Sequence, residues 1–368
     1  METYAVYLRP KGSLVSPIHS DTLFGALCWA IRVMYGVRPL EEMLAVFNER
    51  PKFILSSAFP CLRSGDRLVR FFPKPQLPEL QSGVIEELAK EKAKTDDTSS
   101  LAFKRAVVTI LEKLKTLKNA SYVSETLFRE MVLGQTDVKS LYHRLKGRGS
   151  ASQDIEKLGN VLITMGEREP IDPDGELRAL LREADVQRNQ IDRVAGSTVE
   201  GLLFFDKQTF LRRDVTGLWF ILRTDELDLL KPALRYLEDT GIGGERTVGK
   251  GHFEIPLGEI EQISLPEADT PNSYIALSRY LPRDGESDFT KRPLSYTVLN
   301  FRGKHESRFP VPDQSIYKDL VRVFAEGSIF PLRERKAFYG KIEKVGNLAD
   351  RIVRQNGIIL PVFAKIGG

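Results

Sequence analysis

Residues 241–253, Gly-Ile-Gly-Gly-Glu-Arg-Thr-Val-Gly-Lys-Gly-His-Phe, are the most distinctive segment of this 368-residue chain. Five glycines within eleven residues allow positive φ angles and a close approach of the backbone to a ligand. Successive exposed N–H groups bind anions, and arginine and lysine add charge for phosphates. The pattern predicts a polyanion-binding loop at Gly241, Gly243, Gly244, Arg246 and Lys250.

Two nucleotide-binding motifs are alternatives for this loop. Residues 244–250 match G-x-x-x-x-G-K, but Gly251 replaces the Ser or Thr that a P-loop places on magnesium. A predicted helix precedes the loop and a predicted strand follows it, which is the reverse of the P-loop and Rossmann order. A mononucleotide site therefore fits poorly, and a flexible turn without a ligand also remains an alternative.

The segments around the loop predict the fold. Apolar and β-branched runs predict strands, and apolar residues at helical spacing predict two helices, at 21–35 and 226–239. Ser20 or Asp21 suits the N-cap of the first helix. Pro232 suggests that the first turn of the second helix is irregular, or that the regular helix starts at this residue. The core strands are expected at 3–9, 53–59, 68–72, 218–222 and 252–257.

This order of elements predicts an α+β protein with two ferredoxin-like (RRM-like) domains. The N-terminal domain is expected to span 1–263, with a large insertion at about 76–205 and helices at 84–94 and 101–118. A proline-containing linker at 264–272 leads to a smaller C-terminal ferredoxin-like domain at 270–368. Its strands are expected at 273–280, 294–301, 320–325 and 357–365.

The segment Pro-Ile-His-Ser-Asp-Thr-Leu-Phe-Gly, residues 17–25, joins the first strand to the first helix. Free N–H groups at a helix start can receive a phosphate, and His19 could act as a base in RNA cleavage. Asp21 could instead be only a cap, and His19 only a loop residue or an RNA contact. The candidate contacts are His19, Ser20, Asp21 and Thr22.

A second candidate lies in residues 186–205, which are expected to form a thumb-like hairpin. Arg188, Asn189 and Arg193 precede the apolar run at 201–205, a combination that can contact an RNA backbone and splay bases. A solvated charged loop is the alternative. Basic clusters at 139–148 and 333–341 are typical of solvated faces.

Composition and missing motifs exclude several classes of protein. The net charge is only +4, so nucleic-acid binding must come from local clusters. Two cysteines and four scattered histidines provide no disulfide framework and no zinc spacing, so we expect no metal, no cofactor and no catalytic constellation. We see no signal peptide and no run of roughly 20 apolar residues, so we expect a cytoplasmic protein that does not span a membrane.

These motifs resemble the RAMP superfamily of CRISPR proteins, in which a glycine-rich loop follows the second helix of a ferredoxin-like domain. The ordered set is similar to subunit four of the type III-A (Csm) effector complex. The matching segments are residues 19–27, 188–193, 201–205, 241–246 and 326–328. The insertion carries little of this resemblance, and type III-B (Cmr) complexes contain a similar subunit.

The resemblance implies a non-catalytic subunit in antiviral defence that binds the 5′ tag of the CRISPR RNA (crRNA). It implies contacts with the large palm-domain Cas subunit and with a backbone RAMP subunit, and indirect contact with target RNA. Residues 19–22, 188–193 and the glycine-rich loop would face RNA, and the hairpin would press on the guide–target duplex. An alternative within the superfamily is a crRNA-processing endoribonuclease that uses His19.

Overall fold

The computed structural model describes residues 1–146, 153–192, 194–304, 317–348 and 351–367. The α-helices are α1 (Ser20–Tyr35), α2 (Val37–Ala45), α3 (Ser82–Ala93), α4 (Leu101–Lys118), α5 (Glu125–Val132), α6 (Val138–Arg144), α7 (Met165–Arg168) and α8 (Leu227–Thr240). Short 3₁₀ turns lie at Arg246–Val248 and Leu257–Glu259.

The strands account for most of the remaining regular structure. In the first half they are β1 (Glu2–Pro10), β2 (Phe53–Leu55), β3 (Phe59–Ser64), β4 (Arg67–Pro73), β5 (Tyr122–Ser124), β6 (Ile155–Leu158), β7 (Val161–Thr164) and β8 (Leu181–Asp192). They continue as β9 (Ser197–Leu211), β10 (Thr216–Thr224), β11 (Phe253–Glu254), β12 (Glu261–Gln262), β13 (Ser273–Ala276), β14 (Val298–Phe301), β15 (Val321–Phe324), β16 (Ile329–Pro331), β17 (Ile342–Leu348), β18 (Arg351–Asn356) and β19 (Pro361–Ala364). The chain is therefore of the expected α+β class.

The chain divides into two compact units. Unit 1 consists of Met1–Asp66 and Leu180–Ile263, and unit 2 consists of Arg67–Ala179 and Ser264–Gly368. The expected insertion is thus shared between them, because residues 76–179 belong to unit 2 and residues 180–205 belong to unit 1.

The sheet of unit 1 is antiparallel and centres on β1. This strand pairs with β10 on one side and with β11 and β12 on the other, and β10 also pairs with β2 and β3. Four consecutive residues of β1, Ala5 to Leu8, are buried, as are Leu218 to Leu222 of β10. Continuous apolar runs of this kind form strands that are covered on both faces.

Helices α1 and α8 pack against each other within unit 1. Leu23, Leu27 and Ile31 of α1 are buried, as the spacing predicts, and the helix ends at Gly36, whose φ is +99°. The prediction of a Ser20 or Asp21 cap was wrong, because His19 is the N-cap and no side chain caps the helix. Pro232 lies inside α8, which already begins at Leu227.

Unit 2 contains a mixed sheet in the order β4-β5-β7-β6, in which only the β5–β7 pair is parallel. Phe128 of α5 stacks on Phe72 of β4, with ring centroids 4.3 Å apart. A second sheet has the order β16-β13-β19, and its core is an aromatic cluster that includes Tyr274, Phe330 and Tyr339. The pairs β14–β15 and β17–β18 complete the unit.

The ferredoxin-like plan expected for the C-terminal segment is not confirmed. The described residues between 264 and 367 form strands but no α-helix, so these residues do not supply the two helices of such a plan. Its β-branched and aromatic residues occur in short runs between glycines and prolines, which favours strands. The helices of unit 2 come from residues 82–168 instead.

Candidate nucleic-acid interface

The glycine-rich loop has the irregular backbone that its sequence predicts. Gly241, Gly243, Gly249 and Gly251 all have positive φ angles. Glu245 also adopts the left-handed conformation, with φ at +55°, directly before the 3₁₀ turn Arg246–Val248. The sign of φ therefore alternates along residues 243–246, which is the backbone pattern of an anion-binding nest.

Three successive amides of this loop are available to a ligand. The N–H groups of Gly243, Gly244 and Glu245 form no hydrogen bond within the described part of the chain. A Cβ atom added at Gly243, Gly244 or Gly249 would meet no heavy atom within 4 Å, so the space above these residues is open. This stretch can therefore donate hydrogen bonds to an oxyanion that approaches from solvent.

The ends of the loop are fixed to the start of the chain. The amide of Ile242 donates to the carbonyl of Gly251 at 2.8 Å, and the amide of Gly251 donates to the carbonyl of Ser13 at 2.9 Å. The amide of Lys11 donates to the carbonyl of His252 at 2.8 Å. A Cβ atom at Gly12 would overlap the carbonyl oxygen of Gly249. Residues 11–13, which sequence reasoning did not select, thus form part of the site.

An ion-pair network joins the loop to the hairpin formed by β8 and β9. Lys250 Nζ contacts Asp206 Oδ2 and lies 2.8 Å from Glu245 Oε2. Arg188 Nε lies 3.4 Å from Asp206 Oδ2, and Arg188 Nη1 lies 3.5 Å from Glu245 Oε2. The hydrogen bond from Lys250 lowers the pKa of the Asp206 carboxyl, so this group stays ionised.

The placement of Lys250 corrects its expected role. Its side chain is only 3% exposed, and both of its acidic partners neutralise its charge. It therefore orients the loop against the hairpin and does not offer its ammonium group to a phosphate. Arg188 is likewise engaged with Asp206 and Glu245, although it keeps part of its surface exposed.

Arg246 is half-buried at the start of the 3₁₀ turn. Its carbonyl lies 2.9 Å from Nε2 of His252, and its side chain lies close to Gly241. Arg246 is thus the predicted cation of the loop that retains an accessible surface.

The hairpin is longer than expected, because its strands pair from Leu181–Leu211 to Asp192–Ser197. Its tip turns at Gly196, and the amides of Ala195 and Val194 donate to the Asp192 carboxylate and lower its pKa. Asn189 is exposed, and its Nδ2 donates to Thr198 Oγ1 at 3.0 Å. Arg193 lies outside the described residues.

The hairpin also carries exposed apolar side chains. Leu203 and Phe205 are 52% and 66% exposed, and they share one face of β9 because alternate residues point to the same side. Asp206 lies on the opposite face of β9, where it contacts Lys250 of the loop. Phe204, on the same face as Asp206, is also 52% exposed, so the hairpin presents apolar surface on both faces while Asp206 anchors one of them to the loop.

The segment at the start of α1 is more buried than a set of four RNA-contacting side chains would be. Ser20 and Asp21 are buried, while His19 and Thr22 are half-buried. The Ser20 amide donates to Ser57 Oγ at 2.8 Å, so one N–H group of the helix start is already occupied. A direct side-chain contact with RNA is therefore not supported for Ser20 and Asp21, whereas His19 and Thr22 keep accessible surface.

The weaker basic clusters are largely paired, and no metal site accompanies them. Arg144 bonds to Glu130 and Asp154, and Arg335 pairs with Glu267. Across the described ranges, no group of three or more His, Cys, Asp or Glu side chains could hold a metal ion. In the same ranges, none of the helices has the length and apolar character needed to cross a membrane.

The profile of a protein family described as "RAMP superfamily" matches residues 9–254, which include α1, the hairpin and the entire glycine-rich loop. The chain belongs to the RAMP superfamily. A curated relative of this RAMP protein is the CRISPR system protein Csm4 of Thermococcus onnurineus (strain NA1). It is 28% identical over 331 residues, which cover 88% of this chain and 86% of the relative.

Solved structures with the same fold come from type III CRISPR assemblies. A chain of the Csm3–Csm4 subcomplex of a type III-A interference complex aligns with a TM-score of 0.61 and 16% identity, over 99% of this chain and 100% of that one. A chain of the Csm1–Csm4 cassette in complex with cA4 aligns with a TM-score of 0.55 and 19% identity, over the full length of both chains. The similarity to subunit four inferred from the sequence motifs is thereby confirmed.

Proposed function

We propose that this RAMP protein is the Csm4-type subunit of a type III CRISPR effector complex and that it holds the 5′ tag of the crRNA. Its membership of the superfamily and its end-to-end similarity to Csm4 support the role in the complex. The observation that carries the RNA-binding role is the run of three free amides at Gly243, Gly244 and Glu245, beside Arg246. Such a surface suits the phosphates of a single strand.

In this proposal the loop binds phosphates mainly through the placement of its main-chain amides and less through side-chain charge. Because Lys250 and Arg188 are balanced by Asp206 and Glu245, the network as a whole carries no net charge. Phosphate binding then depends on the amides and on Arg246, with Lys11 nearby, whose own partner is Glu238 at 3.6 Å. Amide donors of this kind contact the backbone and leave the identity of the base unread.

Unit 1 supplies the scaffold, and we assign it a ferredoxin-like plan. Counting β2 and β3 together, and β11 and β12 together, gives four strand positions in the spatial order 4-1-3-2, all antiparallel. One helix follows the first position and another follows the third, as in the split βαβ arrangement. The glycine-rich loop then connects the second helix to the last strand position, and the hairpin extends from the strand before that helix.

The hairpin is the thumb in this proposal. Leu203 and Phe205 would pack against the guide–target duplex at its junction with the tag, while Asn189 and Arg193 would contact its backbone. Exposed apolar side chains on a long two-stranded arm support this role, because they can press on an exposed base pair. Contact with target RNA would therefore be indirect, through the duplex.

We further propose that the subunit bridges two proteins in the cytoplasm. The solved relatives are chains of Csm1–Csm4 and Csm3–Csm4 assemblies, which supports one contact with the large palm-domain subunit and another with a backbone RAMP subunit. We propose no catalytic role for this chain. Metal-independent cleavage of repeat RNA by the isolated chain, lost in His19→Ala, would instead make it a crRNA-processing endoribonuclease.

A salt titration of crRNA binding tests the loop assignment. Each phosphate neutralised on a single strand contributes about −0.7 to the slope of log K against log salt. Arg246→Ala should therefore flatten the slope by about 0.7 in filter binding with a 5′-tag RNA. Arg38→Ala removes a highly exposed arginine of α2, which pairs with Glu42, and is the matched control. Equal slopes for wild type and Arg246→Ala would refute the assignment.

A further inference from the structure

Unit 2 carries an unassigned surface on the β14–β15 pair. It comprises Phe289, Tyr296, Val298, Asn300, Arg322 and Phe324, and we call it the aromatic face. In the antiparallel register, Val298 is opposite Phe324 and Asn300 is opposite Arg322. Directly opposed residues and their second neighbours share one side of a sheet, so these four side chains lie on the same side.

Rings from the preceding segment extend this face. Phe289 stacks on Phe324 with centroids 5.7 Å apart, and Tyr296 meets Phe324 edge-on at 5.0 Å. Phe289 and Tyr296 contact each other at 6.1 Å, and Tyr296 also lies parallel to the buried Phe330 at 6.4 Å. The rings are held by aromatic packing on their inner sides.

Their outer sides are open. Phe289 and Tyr296 are each 43% exposed, and Val298 is exposed beside them. Within the described residues, the Tyr296 hydroxyl has no hydrogen-bond partner. Covering a large aromatic ring that is this accessible to water is favourable, in proportion to the apolar area that a ligand buries. The face therefore gains most from a ligand with flat apolar surfaces.

Two arginines lie on or beside the segments that carry the rings. Arg322 is exposed and has no ion pair among the described residues. Arg292 is also exposed, and among the described residues its guanidinium contacts only a main-chain carbonyl, that of Lys291 at 3.4 Å. Lys291 lies 3.8 Å from Asp288, so the segment between Phe289 and Tyr296 keeps an excess of cations.

The combination of rings and unpaired arginines suits RNA better than a wholly apolar protein partner. An apolar peptide would bury Asn300 and Arg322 without partners, which is costly. A single-stranded nucleic acid satisfies both parts, because its bases stack on rings while its phosphates pair with arginines. Hydrogen-bonding groups such as Asn300 and the Tyr296 hydroxyl can also meet base edges.

We propose that the aromatic face of unit 2 is a second single-stranded RNA site, in which unpaired bases stack on Phe289 and Tyr296 and phosphates meet Arg292 and Arg322. This site is separate in sequence from the glycine-rich loop and goes beyond the proposed tag binding. It needs no base pairing, so it suits an RNA segment that the guide–target duplex does not include.

Fluorescence anisotropy of the full chain with a short single-stranded RNA of mixed sequence tests the site. Stacking contributes about 1–3 kcal/mol per base, so Phe289→Ala and Tyr296→Ala should each weaken binding by about fivefold or more. Tyr296→Phe keeps the ring and should bind like wild type. Leu101→Ala, at an exposed residue of α4, is the control, and thermal unfolding checks that each variant is folded.

The outcomes separate this site from the loop. Repeating the ring substitutions in an Arg246→Ala background should give the same additional loss, because the two sites act independently. Wild-type affinity in both ring variants would overturn the proposal and leave the loop assignment untouched. Normal RNA binding together with lost co-purification of a partner subunit would overturn it in favour of a protein-docking surface.

Discussion

The two proposed RNA sites, the glycine-rich loop of unit 1 and the aromatic face of unit 2, differ in the chemistry that they offer a ligand. The loop offers three main-chain amides on a backbone of fixed, unusual conformation, and its side-chain charges mostly cancel. The aromatic face offers ring surfaces and two arginines that have no acidic partner among the described residues. Main-chain amides suit phosphates, whereas rings suit bases of any identity, so the two surfaces would bind different parts of a nucleotide.

This difference extends to what holds each surface in place. The loop depends on glycines where two stretches of backbone come too close for a Cβ atom, and on one buried lysine, Lys250. The aromatic face depends on large side chains that pack upon one another. Small substitutions should therefore damage the loop, while the face should tolerate any change that preserves a ring.

Gly251→Ala should have the largest effect on the loop. Gly251 has a φ of +64°, and an added Cβ would overlap the carbonyl oxygen of Ile242. We expect roughly 1–3 kcal/mol of lost folding stability in chemical denaturation, with loss of RNA affinity. Gly244→Ala is the control, because no heavy atom lies within 4 Å of its Cβ and its φ is not positive. Equal destabilisation by both substitutions would contradict the described packing.

Lys250→Met should uncouple the hairpin from the loop. It leaves the Asp206 and Glu245 carboxylates with Arg188 alone of their two shared cations, so we expect a lower midpoint of thermal unfolding and weaker RNA binding. The salt slope should stay unchanged, since Lys250 does not face a phosphate. Lys207→Met, which breaks an exposed pair with Glu183 on the same hairpin, should be nearly silent. If Lys250→Met flattened the slope of log K against log salt, Lys250 would contact a phosphate directly and its assignment here would be wrong.

Salt dependence should distinguish the loop from the rings. Arg246→Ala should flatten the slope of log K by about 0.7, whereas Tyr296→Ala should lower affinity at every salt concentration without changing that slope. Matched titrations of the two variants with the same RNA provide the measurement. If Tyr296→Ala flattened the slope as much as Arg246→Ala does, the division between phosphate and base contacts would be wrong.

The smallest expected effect concerns pH. The pKa of the Asp206 carboxyl is lowered in the folded state, chiefly by the hydrogen bond from Lys250, from an ordinary value of 3.8. Its contribution to stability is therefore present above that value and is lost as the pH falls through the lower folded-state pKa. Denaturation of wild type and Asp206→Asn at several acidic pH values should show the difference between them shrinking below about pH 4. A difference that grows toward low pH would contradict the pairing.

Local patterns in the sequence were sufficient for the loop and its flanking helix. The glycine spacing at 241–251 predicted positive φ angles, and the apolar spacing at 230–237 predicted the buried face of α8. Both features depend on residues close together in the chain. The helical spacing from Leu23 to Ile31 predicted α1 for the same reason.

Features built from distant residues could not be predicted in this way. Asp206 and Lys250 are 44 positions apart, so the sequence suggested a free phosphate-binding lysine where the structure has a neutralised one. The aromatic face forms only when β14 pairs with β15, which brings Phe324 beside Tyr296. The strands near residues 298 and 321 were expected, but neither their pairing nor their common face has a local signal.

Photocrosslinking of guide RNA in the assembled ribonucleoprotein tests the central claim most directly. A crRNA with photoreactive nucleotides along its 5′ tag, incorporated with the full chain and its partner subunits, should crosslink to peptides that contain residues 241–251. Crosslinks that map elsewhere on the chain and spare this segment would contradict the account.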